Sequence, residues 1–337
     1  MDAQPSLPTD DRLPKAELHV HLEGTATPTL VRRLAARNGM SLPEGLFSAD
    51  GRFLWTGFLH FLRAYDDAAS AIRTEEDYRD VTREYLGHCA AEGAIYVEVM
   101  ASPDHAALAG LSFEAHLAGV ASGIEDARAA HGIEARIIVT CVRHFGPERA
   151  IELARACARN PHPLLTGFGM GGDENRHSAA AFAPAFRIAR EEAGLGCTAH
   201  AGEAAGPDSV RDVLDHLPVS RIGHGVRASE DPALLDRLAA AGTVLEVCPT
   251  SNLRTGVYPD AAAHPLNRLR DAGCAVTLNS DDPPYFGTTI GGEYAFARAG
   301  FGWTEAALLA ATRTALEGAF LDEPARGRLL ARLPEAP

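Results

Sequence analysis

The sequence offers little to a membrane, a disulfide scaffold or a nucleic acid. No uninterrupted apolar run reaches the roughly 18 residues that a membrane span needs. The opening residues Met1-Asp2-Ala3-Gln4-Pro5 lack the apolar stretch of a secretory signal, so a cytoplasmic location is expected. Six cysteines, at 89, 141, 157, 197, 248 and 274, form no C-x-x-C pair and are too dispersed to staple a fold. Most lie in apolar stretches and read as small buried hydrophobes. The one lysine, Lys15, precedes the first strand-like run, so none stands at the far end of a strand where it would bridge two metal ions. There are 31 basic side chains against 45 acidic ones, for a formal charge of −14. Such a field repels phosphate, so neither nucleic acid nor an anionic membrane is an expected partner. Oligomeric state leaves no mark in the sequence.

What is present suits one large α/β domain. The chain has 337 residues, of which 46% are apolar. It shows no repeat, low-complexity tract or linker, so residues 1–337 are taken as a single domain with a flexible arm at 1–12. Strand-like runs are expected at 16–22, 95–101, 135–142, 164–170, 196–201, 221–224, 243–248 and 275–280. Several, such as Ile95-Tyr96-Val97-Glu98-Val99 and Ala275-Val276-Thr277-Leu278, are nearly continuous in apolar character, as strands covered on both faces are. Helical stretches fall between them, at 75–92, 113–131, 147–159, 178–193, 207–216, 231–241 and 264–272. Gly93, Gly132, Gly194, Gly242 and Gly273 follow these runs as expected C-cap glycines. Eight strands alternating with helices predict a (β/α)8 TIM barrel, with extra helices after the first strand and at the C-terminus.

Four clusters of metal-binding and proton-transferring side chains each end a strand-like run. They are His19 with His21, His200 with Glu203, His224 alone, and Asp281 with Asp282. Strand ends on one rim of a parallel barrel converge, which is where such folds build active sites. His19 and His21, at i and i+2, share a face of their strand and reach one ion together. His200 adds a third nitrogen and Asp281 a carboxylate. Nitrogen and oxygen donors favour Zn²⁺ over Mg²⁺. Glu203 suits a proton donor if burial raises its pKa, or else an acid offsetting the dipole of the 207–216 helix. His224, between Gly223 and Gly225, would orient a metal-bound water, or be a core histidine or a fourth ligand. Asp281 and Asp282 point to opposite sides if their strand persists, and Pro283-Pro284 then stops it.

The segments carrying these residues resemble the adenosine deaminase family of the amidohydrolases. They are Pro14-Lys15-Ala16-Glu17-Leu18-His19-Val20-His21-Leu22-Glu23-Gly24, Gly171-Gly172-Asp173-Glu174, Thr198-Ala199-His200-Ala201-Gly202-Glu203, Arg221-Ile222-Gly223-His224-Gly225, Glu246-Val247-Cys248-Pro249-Thr250-Ser251-Asn252 and Asn279-Ser280-Asp281-Asp282-Pro283. The likeness runs from about residue 12 to 333, with the motifs in family order. It implies one Zn²⁺ per chain, held by His19, His21, His200 and Asp281, and hydrolysis of a purine 6-amino group. By the same likeness Glu203 protonates N1, His224 positions or deprotonates the water with Asp281, Asp282 meets N7 and the Gly172 N–H meets N3. His21 and Glu23 also face the substrate on this reading. The P-C-x-x-C ligand pair of cytidine-type deaminases is absent, which excludes that architecture.

The family's nucleoside branch is similar except at position 23, where it places Asp against the ribose 5′-hydroxyl. Glu23 moves its oxygens by about 1.5 Å, one carbon–carbon bond, and resembles deaminases of adenine and of 6-amino-6-deoxyfutalosine. Adenosine is the nominal substrate expected, with adenine or a 5′-modified nucleoside as the alternative. Residues 53–65 suit either a lid over the sugar or plain helix packing. A catalytically silent binding protein is the reading from another class, and the intact ligand set with Glu203 speaks against it.

Overall fold

The computed structural model describes residues 13–334; the arm expected at 1–12 lies outside them. Eight parallel strands form one sheet in sequential order. They are β1 (Lys15–His21), β2 (Ala94–Ala101), β3 (Glu134–Val142), β4 (Leu165–Gly171), β5 (Gly196–Ala201), β6 (Arg221–His224), β7 (Val244–Val247) and β8 (Ala275–Leu278). The sheet closes on itself beyond β8. The His21 N–H donates to the Asp281 carbonyl (3.0 Å) and the Asp281 N–H to the His19 carbonyl (3.2 Å), so Val20 and Asp281 bridge in parallel. This is the (β/α)8 barrel that the alternation of elements predicted.

The covered strands explain their composition. Every residue of β2 is buried, as its continuous apolar run required. Helices Phe113–His131, Pro147–Arg159 and Pro207–His216 match their expected spans. Gly132 and Gly242 cap helices in the left-handed region. The stretch 178–193 differs from the single helix expected. A 3-10 turn, Ala179–Phe182, precedes the helix Ala183–Glu191, because Pro184 donates no N–H and favours a first helical turn. The insertion after β1 holds the helices Pro28–Arg37 and Phe58–Ala69.

The last strand is shorter than expected, ending at Leu278 rather than 280. Asp281 has φ 65°, so a turn, not strand alternation, separates the directions of Asp281 and Asp282. Deeper in the barrel three charges are fully buried. Arg221 meets Glu98 Oε2 and Glu246 Oε1, both at 2.6 Å, while its guanidinium stacks on Phe320. Mutual pairing is what allows such charges to be buried at all.

Candidate active site

The C-terminal rim of the barrel collects the residues the sequence singled out. His19 and His21 end β1, His200 lies in β5, and Asp281 follows β8. One donor atom from each of these four lies within 4.8 Å of all the others. A second grouping that shares His19 and Asp281 takes in His224 and Cys248.

Hydrogen bonds fix which nitrogens face inward. His19 Nδ1–H donates to Glu246 Oε2 at 2.8 Å, and His200 Nδ1–H donates to the Met170 carbonyl at 2.8 Å. With Nδ1 committed as a donor, each ring turns Nε2 inward, a lone pair once any proton there gives way to a cation. Nε2 of His19 is buried without a hydrogen bond. His21 Nε2 and His200 Nε2 face each other at 3.0 Å. Asp281 Oδ1 lies 3.5 Å from His19 Nε2 and 3.4 Å from His21 Nε2. Lone pairs converging on a carboxylate with no donor between them are the arrangement a divalent cation satisfies. The charge balance agrees. Burial opposes a charge on His19, yet Asp281 and Glu246 raise its pKa to about 9, so this spot attracts a cation. Burial lowers His21 to about 4 and His224 to about 3. The fit requires Gly223, since a Cβ there would lie 2.8 Å from the His19 ring and 3.1 Å from that of His200.

The candidate proton-handling groups stand on the same rim. Burial, then the carboxylates of Asp281 and Glu174, push Glu203 well above the usual carboxylate range, which favours its protonated form. His224 Nε2 lies 3.6 Å from Glu203 Oε2 and 3.9 Å from Asp281 Oδ2. Burial works against ionised Asp281, but the close His19 imidazole, with those of His224 and His21, holds it well below its ordinary value. Asp282 is the reverse case, raised by burial and by Asp281. Its Oδ1 is buried without a hydrogen-bond partner. Only glycine at 24 leaves it room, since a Cβ there would lie 1.7 Å from that oxygen.

A cavity opens onto these groups, lined in part by Phe61, Leu62, Tyr65, Ser102 and Gly172. It measures about 70 Å³, where a single water takes about 10–15 Å³ on the same scale. His21, Gly172, His200, Glu203, His224, Asp281 and Asp282 all reach it. Glu23, expected to face the substrate, lies beside this cavity and not in its wall. It is 2% exposed and absent from the cavity wall. Its Oε1 accepts from the Ser102 N–H at 3.0 Å and its Oε2 from Tyr65 Oη–H at 3.3 Å, so the longer carboxylate is drawn behind that wall. The stripe at 53–65 divides. Phe58, Phe61, Leu62 and Tyr65 face the cavity, whereas Leu54 and Leu59 are exposed.

Sequence reasoning assigned no role to three supporting carboxylates. Glu246 orients His19. Glu174 accepts from the N–H groups of Glu203 (3.1 Å) and Ala205 (2.8 Å) and so holds the loop that carries Glu203. Glu17 accepts from the N–H (2.8 Å) and Oγ–H (2.6 Å) of Ser280, fixing the turn before Asp281. A charged residue inside an otherwise apolar strand was the available signal for Glu17 and Glu246.

Comparison with known proteins agrees with this geometry. The model of the family described as adenosine deaminase matches residues 14–336. The chain belongs to the adenosine deaminase family. As a family member it is a hydrolase acting on the C–N bond of a cyclic amidine. It is 52% identical over 322 residues to adenine deaminase of Agrobacterium fabrum, covering 96% of this chain and 98% of that one. It is 54% identical over 319 residues to adenine deaminase of Chelativorans sp., covering 95% and 97%. Among solved structures, the family fold is shared with adenine deaminase from Arthrobacter aurescens, with a TM-score of 0.89, 31% identity and coverage of 95% and 97%. An amidohydrolase from Burkhoderia ambifaria, with bound Zn, gives a TM-score of 0.85 at 29% identity, covering 96% and 90%. Among the described residues, no helix is long and apolar enough to cross a membrane.

Proposed function

We propose that the chain is a zinc-dependent adenine deaminase, converting adenine and water to hypoxanthine and ammonia. The observation that carries the choice of a free base is the shielding of Glu23. The side chain expected to meet a sugar is covered by Tyr65 and Ser102, and the remaining cavity is small. The relatives that match at 52% and 54% identity bear the name adenine deaminase, which supports adenine, the alternative substrate, over adenosine.

His19, His21, His200 and Asp281 would hold the ion, one per chain. When bound, it supplies a Lewis acid and lowers the pKa of water towards about 7. The protein's own groups do the rest. Glu203, whose protonated form its surroundings favour, donates to the ring nitrogen beside the amino-bearing carbon and makes that carbon electrophilic. His224 and Asp281 stand close by and would orient the incoming water. Asp282, whose protonated form burial and Asp281 favour, would donate to N7. The Gly172 N–H serves N3, and φ 95° at Gly172 turns its backbone in a way open to glycine. The apolar walls exclude competing water.

Ultraviolet absorbance tests the proposal when adenine, adenosine and a 5′-modified adenosine are each offered to the zinc-loaded protein. Turnover of adenine with little of the two nucleosides is expected. A preference for either nucleoside would overturn the assignment.

A further inference from the structure

We propose that Asn252 and His264 are positioning residues that fix the tautomer of His224, so that His224 serves as a hydrogen-bond donor and not as a base. The reasoning starts from a backbone group whose polarity is settled. The Leu266 N–H donates to His264 Nδ1 at 3.2 Å. That nitrogen must therefore carry a lone pair, and a neutral His264 has its proton on Nε2. Burial keeps His264 neutral, lowering its pKa to about 4. Nε2–H faces Asn252 at 3.1 Å, and only the amide oxygen can accept it. The Asn252 amide is thereby oriented, with its Nδ2–H donating to His224 Nδ1 at 3.3 Å. His224 Nδ1 is in turn the acceptor, and the neutral ring places its proton on Nε2.

Nε2 is the nitrogen that faces the chemistry, between Glu203 Oε2 and Asp281 Oδ2. An Nε2–H holds an oxygen in place by donating to it, and it has no lone pair with which to take a proton. Asn252 and His264 are both buried, and neither lines the catalytic cavity. They act on the reaction only through His224. This rests on the deaminase reading for the identity of the oxygen but not for the position of the proton.

Long-range ¹H–¹⁵N spectra of the histidine-labelled, zinc-loaded protein read the tautomer without substrate. A protonated Nε2 and a bare Nδ1 on His224 are expected, and the opposite pattern would overturn the proposal. Asn252→Asp replaces the donor with an acceptor and draws the proton to Nδ1. It should lower kcat by about 100-fold or more while leaving KM within about twofold and zinc content unchanged. His264→Gln keeps an acceptor for the Leu266 N–H and a donor for Asn252, so it should retain most activity where His264→Leu does not. Wild-type kcat in Asn252→Asp, or a fall traced to lost zinc, would overturn the assignment. A mistaken substrate would appear differently, as a wild type inactive on adenine whose tautomer is nevertheless as described.

Discussion

Glu203 shows how much one environment can change one side chain. Its carboxyl is buried beside Asp281 and Glu174, and both disfavour its ionisation. Glu203→Gln preserves shape and the loop held by Glu174 but removes the transferable proton. We expect zinc to be retained and kcat to fall about 10²–10⁴-fold, measured by absorbance alongside metal content; unaltered turnover would exclude it as the acid. Glu246 acts one bond further back. Glu246→Gln weakens the orientation of His19 and strips Arg221 of one of its two buried partners. Zinc affinity should drop about 10–100-fold, as losses of ligand-orienting groups do, in competition with a chelator. Equal affinity would show that Glu246 only neutralises Arg221. His19, His21, His200 and Asp281 were legible in the sequence, because strand periodicity and strand ends place them on one rim. Glu246 was not, since its partners His19 and Thr198 are 227 and 48 residues away and nothing local marks a pairing of that range.

Among the elements, the short turn Glu23–Thr25 after β1 carries more than its length suggests. Gly24 leaves the space that Asp282 occupies, with Tyr65 Cε2 also 2.9 Å from where a Cβ would stand. Gly24→Ala must therefore displace Asp282. KM for adenine should rise by about tenfold or more, the order of one lost hydrogen bond to a charged or polar group, with zinc still bound; a wild-type KM would remove Asp282 from substrate capture. The helix Phe58–Ala69 supplies the facing wall. Its apolar stripe announced a helix in the sequence, but periodicity alone does not say whether a stripe faces a core or a cavity. That answer depends on Tyr285 and Phe286, whose rings meet Phe61 from the far end of the chain. The early end of β8 was equally hidden. Asn279 and Ser280 spend their polar groups on Val247, Thr277 and Glu17, which bends the chain before Pro283 stops it.

At the scale of the whole molecule, the barrel stores unfavourable charge that pH reveals. Glu293 accepts from the Thr250 N–H and Thr288 Oγ1–H, yet burial raises its pKa to about 7 from 4.5. Between those values the folded chain keeps a proton that the unfolded chain has released. Its contribution to stability therefore falls as pH rises through that window and levels off above it. Glu293→Gln cannot ionise. It should match the wild type near pH 4 and exceed it near pH 8 by about 3 kcal/mol at most, the linkage value for such a shift. Denaturant melts at the two pH values would show this, and a difference independent of pH would assign the proton elsewhere. The barrel itself was readable from alternating runs and capping glycines. Its buried charges were not, because each is stable only in company that folding assembles.

The backbone of Asp281 joins the final strand to the first, through the N–H of His21 and the carbonyl of His19. The rivet that shuts the cylinder and the hook proposed for the ion are thus one residue. Stripping the cation should loosen this stitch, so amide exchange at His21 and Asp281 would quicken ahead of exchange elsewhere in the wall, and reloading would tighten it again.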